Sequence, residues 1–382
     1  MKKMLTITSF VFAGGALFFA AFLAASQLKV QDLAQYWSAA HLVRQDPYSF
    51  ELVSKFEESS GIASVKPPLV LKNPPWAIPF ILPLGLFSYR VAFAVWLVFS
   101  VFVVTGCTRA VWMRYEGSDS LVPILMPILF GPTVVLLMLG QWTVLVLLGI
   151  TTFLIMIDRR RDMIAGASLV LVIGKPHVAL LFILAVALWT IQCKRWLILV
   201  SAAVSLAGCS IAMLAINGHI FAQFLVRTRQ VVGETVPYPN LGGMLFVATH
   251  QHWIAIIPQV VGLVWLALYW IQRRETWDWA SDGMLVLVVS VASSYYSYPY
   301  DEILVLPALI VAFAKGNRRL FFVCFALVNI GYALYIFQIA GHFGFSPLSL
   351  WWTASGWLIT YVAAMKSRLR ETATDTSTVY GS

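Results

Sequence analysis

Charge is what this chain has least of. Only 11% of its 382 residues are charged, and its 17 Asp and Glu are outnumbered by 26 Lys and Arg. A water-soluble globular domain carries about 25% charged residues, so that class is excluded. Cysteine is also scarce. Cys107, Cys193, Cys209 and Cys324 lie inside or at the edges of apolar runs, and no two have metal-ligand spacing. Neither a disulfide framework nor a zinc site is indicated. No P-loop, Gly-rich dinucleotide fingerprint, HExxH or GxSxG is present, which removes the usual nucleotide-binding, metalloprotease and α/β-hydrolase signatures. No apolar run carries a charge at its centre, which argues against an ion-driven pump or a voltage sensor.

Apolar residues fill the space that charge leaves. They make up 60% of the chain, and the mean hydropathy is +0.82. The expectation is an all-α polytopic membrane protein. The net charge of +9 would suggest a nucleic-acid partner in a soluble protein. Here the basic residues sit in short clusters between apolar runs, with no basic face interleaved with aromatics, so no nucleic acid is expected. Runs able to span a bilayer fall at 4–25, 90–112, 120–138, 141–157, 163–175, 177–193, 196–216, 253–272, 283–298, 302–315, 320–340 and 347–365, giving about twelve transmembrane helices. The first begins with Lys2 and Lys3 and ends in small residues, as a signal peptide does. Its apolar core of about 20 residues is long enough to span, so an uncleaved helix is expected. A shorter run, Trp76 to Phe87, holds Pro79 and Pro83 behind Pro75 and is read as re-entrant or interfacial.

The basic clusters set the orientation. With Lys2 and Lys3 in the cytoplasm, the same side receives Arg109 and Arg114, Arg159 to Arg161, Lys194 and Arg195, Arg273 and Arg274, Lys315 with Arg318 and Arg319, and Lys366 with Arg368 and Arg370. Both termini are then cytoplasmic, in the inner membrane of the cell. Residues 1–370 read as one transmembrane catalytic domain and 371–382 as a Ser/Thr-rich cytoplasmic tail. Two long outer loops, 26–75 and 217–252, cap it, and short outer turns lie at Leu139–Trp142, Gly174–His177 and Ser294–Glu302. Short helices are expected in the first loop, one opened by Asp32 as N-cap and ended by Pro47, another from Phe50 to Phe56.

Residues able to carry chemistry collect on the outer side. Asp32 follows the first span, and is either a helix cap with a solvated charge or a general base. Lys175 sits in VIGKPHVAL between two short spans. Pro176 bends the chain there, and the ammonium either snorkels to the interface or binds a phosphate. His177, His250, His252 and His342 also fall outside. His250 and His252 are spaced i, i+2, a weak metal pattern without a third ligand, and contacts to substrate or simple interfacial placement are the other readings. Gln141 opens a span as a turn residue or a hydrogen-bonding partner of the site. Asp301 and Glu302 follow SSYYSYPY as helix-start charges favoured by the macrodipole, as ligands for sugar hydroxyls, or as partners for Lys175, Arg227 and Arg229. Tyr295, Tyr296, Tyr298 and Tyr300 offer faces for a sugar ring or form an interfacial belt.

In order, these stretches resemble a known family. They are Asp32, Tyr36, Ala39 and Ala40 as D-x-x-x-Y-x-x-A-A, then Pro47-Tyr48, Asn73-Pro74-Pro75 before the Pro-rich run, Gly140-Gln141, Lys175-Pro176, and Pro299-Tyr300-Asp301 before L-x-L-P. The pattern is similar to glycosyltransferase family 87 over roughly residues 1 to 340, departing from it in the segment YPYDEI. The resemblance implies a GT-C-like bundle and transfer of a sugar, such as mannose or another hexose or pentose, from a polyprenyl-phosphate donor to a glycolipid or glycan acceptor hydroxyl on the outer face. It implies Asp32 as the catalytic aspartate and Lys175 in the lysine position. Tyr36, Gln141, His177, His250, His252 and Asp301 are expected substrate contacts; the outer histidines match no motif of the family, and that expectation rests for them on the residues themselves. A lipid-phosphate donor also requires no nucleotide fold, and no cofactor or metal is expected. The alternative is a multi-pass transporter or lipid flippase lined by Lys175, Asp301 and Glu302. The chain shows no clear internal repeat of the kind many transporters carry.

Overall fold

A computed structural model of the chain describes residues 32–62, 68–231, 238–340 and 347–379. The expected first span at 4–25 and His342 lie outside the described residues. Within them every regular element is helical and there is no strand, as the composition requires of a chain whose backbone must satisfy its own hydrogen bonds in lipid.

The chain divides into two compact units, and each is built from separated segments. The first comprises Met1–Val104, Leu137–Val144 and Ala203–Thr235. Its framework is two helices of the first outer loop, α1 (Leu33–Leu42) and α2 (Phe50–Ser59). Ser49 caps α2 by accepting from the Leu52 N–H at 3.3 Å. Their shared core is Leu42, Val53 and Val70, with Leu52 and Phe56 packed against it. The expected re-entrant run is two short 3-10 turns, Pro75–Phe80 and Leu82–Leu86. Prolines inside them remove the donors a continuous α-helix needs, so the run does not make a spanning helix. It lies against α1, where the Trp37 indole donates to the Phe87 carbonyl at 2.9 Å. A Cβ on Gly85 would come within 3.3 Å of the Ala40 Cβ.

The first part of the second outer loop joins the same unit. Asn217 Nδ2 donates to the carbonyls of Val43 at 3.0 Å and Gln45 at 2.9 Å. Trp76 packs on Phe221, and Tyr48 on Phe224. The two long loops of the hydropathy profile are therefore one packed structure over residues 33–62 and 217–231.

The second unit comprises Thr105–Leu136, Leu145–Ala202 and Val236–Ser382. Helices passing through one or both units are α3 (Tyr89–Tyr115), α4 (Val122–Ile128), α5 (Gly131–Leu139), α6 (Thr143–Asp158), α7 (Asp162–Ile173), α8 (Leu180–Gln192) and α9 (Trp196–Ile216). After α10 (Ile220–Val231) come α11 (Leu241–Thr249), α12 (Ile257–Arg273), α13 (Met284–Ser293), α14 (Leu306–Lys315), α15 (Arg318–Ala340) and α16 (Thr353–Val379). Helix α14 is buried from Leu306 to Phe313, as an element that is apolar on every side should be. By contrast, α9 and α15 expose Val200, Val204 and Ile211, and Val323, Leu327, Ile330 and Leu334. Such apolar faces suit lipid rather than water.

Four helices are long and apolar enough to cross a membrane: Tyr89–Tyr115, Trp196–Ile216, His252–Thr276 and Arg318–Phe337. A fifth candidate is the pair α4 and α5, bent by 65° at their junction. This is fewer than the expected twelve, and the count of twelve is not reached among the described residues. The physical reason is local. The runs at 163–175 and 177–193 are the 12-residue α7 and 13-residue α8. At 1.5 Å per residue these reach roughly 20 Å, short of a hydrocarbon core of about 30 Å. Hydropathy counts apolar runs, and the two that meet at Gly174 and Pro176 form helices too short to cross the core.

Candidate active site

In the first unit, the predicted acid sits at the N-cap position of α1. Asp32 has helical backbone angles, φ −63° and ψ −17°, and makes no side-chain capping hydrogen bond. Asp32 therefore holds the expected N-cap position without a capping bond, and its carboxylate accepts a hydrogen bond from the Gln141 side-chain amide. The Gln141 carbonyl oxygen in turn accepts from the Tyr36 hydroxyl at 2.9 Å. Asp32 and Tyr36 are four residues apart, so α1 presents both on one face, and a single amide bridges them. Trp142 closes the cluster, with its backbone N–H 3.4 Å from the Tyr36 oxygen and its ring between Tyr36 and Phe80. Tyr36, Gln141 and Trp142 are at most 2% exposed, whereas Asp32 is half-buried. Gly140 makes the approach possible. Its φ is +68°, and a Cβ there would come within 2.9 Å of the Leu33 Cβ, so a larger residue meets both backbone strain and collision.

A second acid in this unit has no counterpart in the sequence reading. Glu57, 2% exposed, accepts from the Ser38 hydroxyl at 3.0 Å. Burial raises its carboxyl above the ordinary 4.5, while the Ser38 bond pulls the other way. The signal that marks it is the i, i+4 spacing from Val53, which places an acid on the buried stripe of α2.

In the second unit, the turn at Gly174–Ala179 is stitched to the turn after α13 by serine hydroxyls. Ser290 Oγ donates to the Val178 carbonyl at 2.9 Å and accepts from the Leu181 N–H at 3.1 Å. Ser294 lies 3.1 Å from the His177 carbonyl and 2.9 Å from that of Tyr296. Asn240 fixes the far side by donating to the carbonyls of Ser294 and Tyr295. The result is a buried ion pair, Lys175 Nζ to Asp301 Oδ1 at 2.5 Å, with Lys175 8% and Asp301 0% exposed. Lys175 also lies 4.7 Å from the Tyr300 ring centroid, a favourable cation–π distance. Tyr300 stacks on Tyr298 at 5.4 Å. Asp301 Oδ2 accepts from the Tyr298 N–H at 3.1 Å.

The neighbouring acid goes elsewhere. Glu302 accepts at 2.7 Å from each of three donors, the Tyr332 hydroxyl, Thr353 Oγ1 and the Trp357 indole. It ties the 3-10 turn at Pro299–Val305 to α15 and α16. The pair read together in the sequence therefore has two separate tasks.

The histidines are dispersed. The His177 ring meets Tyr296 edge-on at 4.7 Å. His250, exposed and left-handed at φ +56°, ends α11, and exposed His252 packs on Phe246 at 4.7 Å. Among the described residues no three His, Cys, Asp or Glu side chains gather as a metal-ligand set.

The model of glycosyltransferase family 87 matches residues 72–294, more than half of the chain. This chain belongs to glycosyltransferase family 87. The matched stretch of this family 87 protein holds Gln141, Lys175 and the Asn73-Pro74-Pro75 segment, whereas Asp32, Tyr36 and Asp301 lie outside it. Contacts link the two sets: Gln141 holds Asp32 and Tyr36 in one unit, and Lys175 pairs with Asp301 in the other. No curated protein and no solved structure matches the chain significantly. Membership of the family makes this a membrane glycosyltransferase, with a sugar donor and an acceptor as its substrates.

Proposed function

We propose that this glycosyltransferase moves a hexose, such as mannose, or a pentose from a polyprenyl-phosphate donor to a hydroxyl of a lipid- or glycan-linked acceptor, at the outer face of the cytoplasmic membrane. Asp32 is the general base. One observation carries this reading: a half-buried carboxylate at the first helix, held in a fixed direction by the Gln141 amide, which Tyr36 holds in turn. A carboxylate offers about four lone-pair sites, so the Gln141 bond orients Asp32 without using up its capacity to take a proton.

In the proposed step the acceptor hydroxyl gives its proton to Asp32 as its oxygen bonds to the anomeric carbon. The bond from that carbon to the donor phosphate oxygen breaks, and polyprenyl phosphate leaves with the electron pair. A single displacement needs one base and no second carboxylate nucleophile. The leaving phosphate gains charge, which a fixed cation stabilises; Lys175 is proposed for that task. Its ammonium is preset by Asp301 and the Tyr300 face, so binding a phosphate exchanges one anionic neighbour for two. His177 and the outer histidines are proposed as weaker substrate contacts.

The test uses the purified chain in liposomes with a radiolabelled polyprenyl-phosphate sugar and a lipid extract as acceptor source. Label is expected in a new glycolipid or glycan. Movement of the intact donor across the bilayer with no new product would contradict the proposal.

A further inference from the structure

The ends of α6 and α8 carry a feature that the transfer reaction does not use. A pocket of about 520 Å³ opens there, lined by Ile157, Asp158, Arg160, Trp189, Cys193 and Arg195. Its two carboxylate neighbours are already neutralised. Asp158 pairs with Arg114, and Asp162 with Arg195. Arg195 is fixed further by donating to the Ile157 carbonyl at 3.0 Å and by lying 5.0 Å from the Trp189 ring centroid. Arg159, Arg160, Arg161 and Lys194 make no ion pair with any described residue, and all four are exposed. The local charge is therefore strongly positive.

The backbone places two of these cations with care. Arg160 and Lys194 both have φ +55°, the left-handed conformation that ends a helix and that glycine adopts at least cost. Each follows the last turn of its helix, with the next N–H reaching back, Arg161 to the Met156 carbonyl and Arg195 to the Thr190 carbonyl. Cations at a helix C-terminus favour the dipole, which explains their sign but not the pocket beside them. The surroundings are apolar and open: Met163 is 63%, Trp196 52%, Ile191 50% and Leu197 48% exposed. A cationic pocket bordered by exposed apolar side chains fits an amphiphile, with phosphate in the pocket and acyl chains along the apolar border.

We propose that this pocket binds the phosphate head group of an anionic membrane lipid. Arg160 and Arg195 meet the phosphate, Trp189 walls it, and Trp196 with Met163 contacts the chains. The shared chemistry with free phosphate is the anion; the apolar border selects the lipid.

Cys193 supplies a direct probe, being an exposed thiol in the pocket wall. The experiment follows its maleimide labelling in the full chain, in neutral detergent, with Cys209→Ser and Cys324→Ser removing the other accessible thiols. Short-chain phosphatidylglycerol is expected to slow labelling several-fold. Phosphatidylcholine and inorganic phosphate are expected to leave it unchanged. Arg160→Gln should abolish the protection, whereas Arg159→Gln, which removes the same charge outside the pocket wall, should retain most of it. Thermal unfolding of both variants checks that they are folded, as expected for exposed side chains with no ion pair. Equal protection by phosphatidylcholine, or by inorganic phosphate alone, would overturn the lipid assignment. Equal loss in the two arginine variants would reduce the effect to diffuse surface charge, and absence of protection would remove the site.

Discussion

At the scale of single residues, a side-chain amide aims a carboxylate. Gln141 spends its N–H on Asp32 and its carbonyl on Tyr36, so it has no symmetric substitute. Gln141→Leu keeps the volume and removes both bonds. A hydrogen bond to a charged group contributes about 1.5–3 kcal/mol, which corresponds to a roughly 10- to 100-fold lower kcat if the orientation of the base is rate-determining. The expected pattern is a fall in kcat with little change in donor KM; an unchanged kcat would show that Gln141 only supports the fold. Glu57 makes a different kind of prediction. Its folded-state carboxyl is raised by burial, so protonation favours the folded state. That contribution is present below the unfolded value near 4.5 and is lost as pH rises through the higher folded one. Glu57→Gln, which fixes the neutral form, should flatten the fall of melting temperature with rising pH in that window. Parallel profiles for the two proteins would contradict this.

At the scale of elements, the two turns of the second unit are held by a buried ion pair and a set of serine hydroxyls. Removing one partner of a buried pair costs about 3–5 kcal/mol, because the other charge is stranded, whereas removing both is far milder. Lys175→Met and Asp301→Asn are each expected to lower the melting temperature more than the double variant does. Additive losses would mean that the two residues are not coupled.

Here too lies the division between what the sequence discloses and what it withholds. The break at Gly174-Lys175-Pro176 is legible because proline removes a donor from an apolar run. Asp32, Tyr36, Gln141 and Lys175 stand out as polar residues at the edges of such runs. Glu57 does not, because a single acid on an amphipathic helix reads as solvated unless its face is counted. The different duties of Asp301 and Glu302 were also hidden. They depend on Tyr332, Thr353 and Trp357, at least 30 positions away in the chain, and no local pattern encodes those partners.

At the scale of the whole molecule, hydropathy identified the class, and among the described residues four or five of the expected spans are long and apolar enough to cross a membrane. A window average sees an apolar run where the backbone makes two short helices bent by 65°. Orientation rests on the basic clusters and has its own test. Ser59→Cys, exposed on α2, should be labelled by an impermeant maleimide in intact spheroplasts. Native Cys193, beside Lys194 and Arg195, should be labelled only after permeabilisation; the reverse order would invert the topology and the proposed outer site with it. The central claim is that one carboxylate in this chain takes the acceptor proton, and Asp32→Asn tests it most directly. That variant keeps an acceptor oxygen for Gln141 and differs from the native chain by the loss of the basic carboxylate. In membranes supplied with labelled polyprenyl-phosphate sugar, the account expects normal insertion and a normal melting temperature, with transfer reduced at least about a thousandfold, within the range that general-base catalysis contributes. Transfer at or near the native rate from a folded Asp32→Asn protein would contradict it.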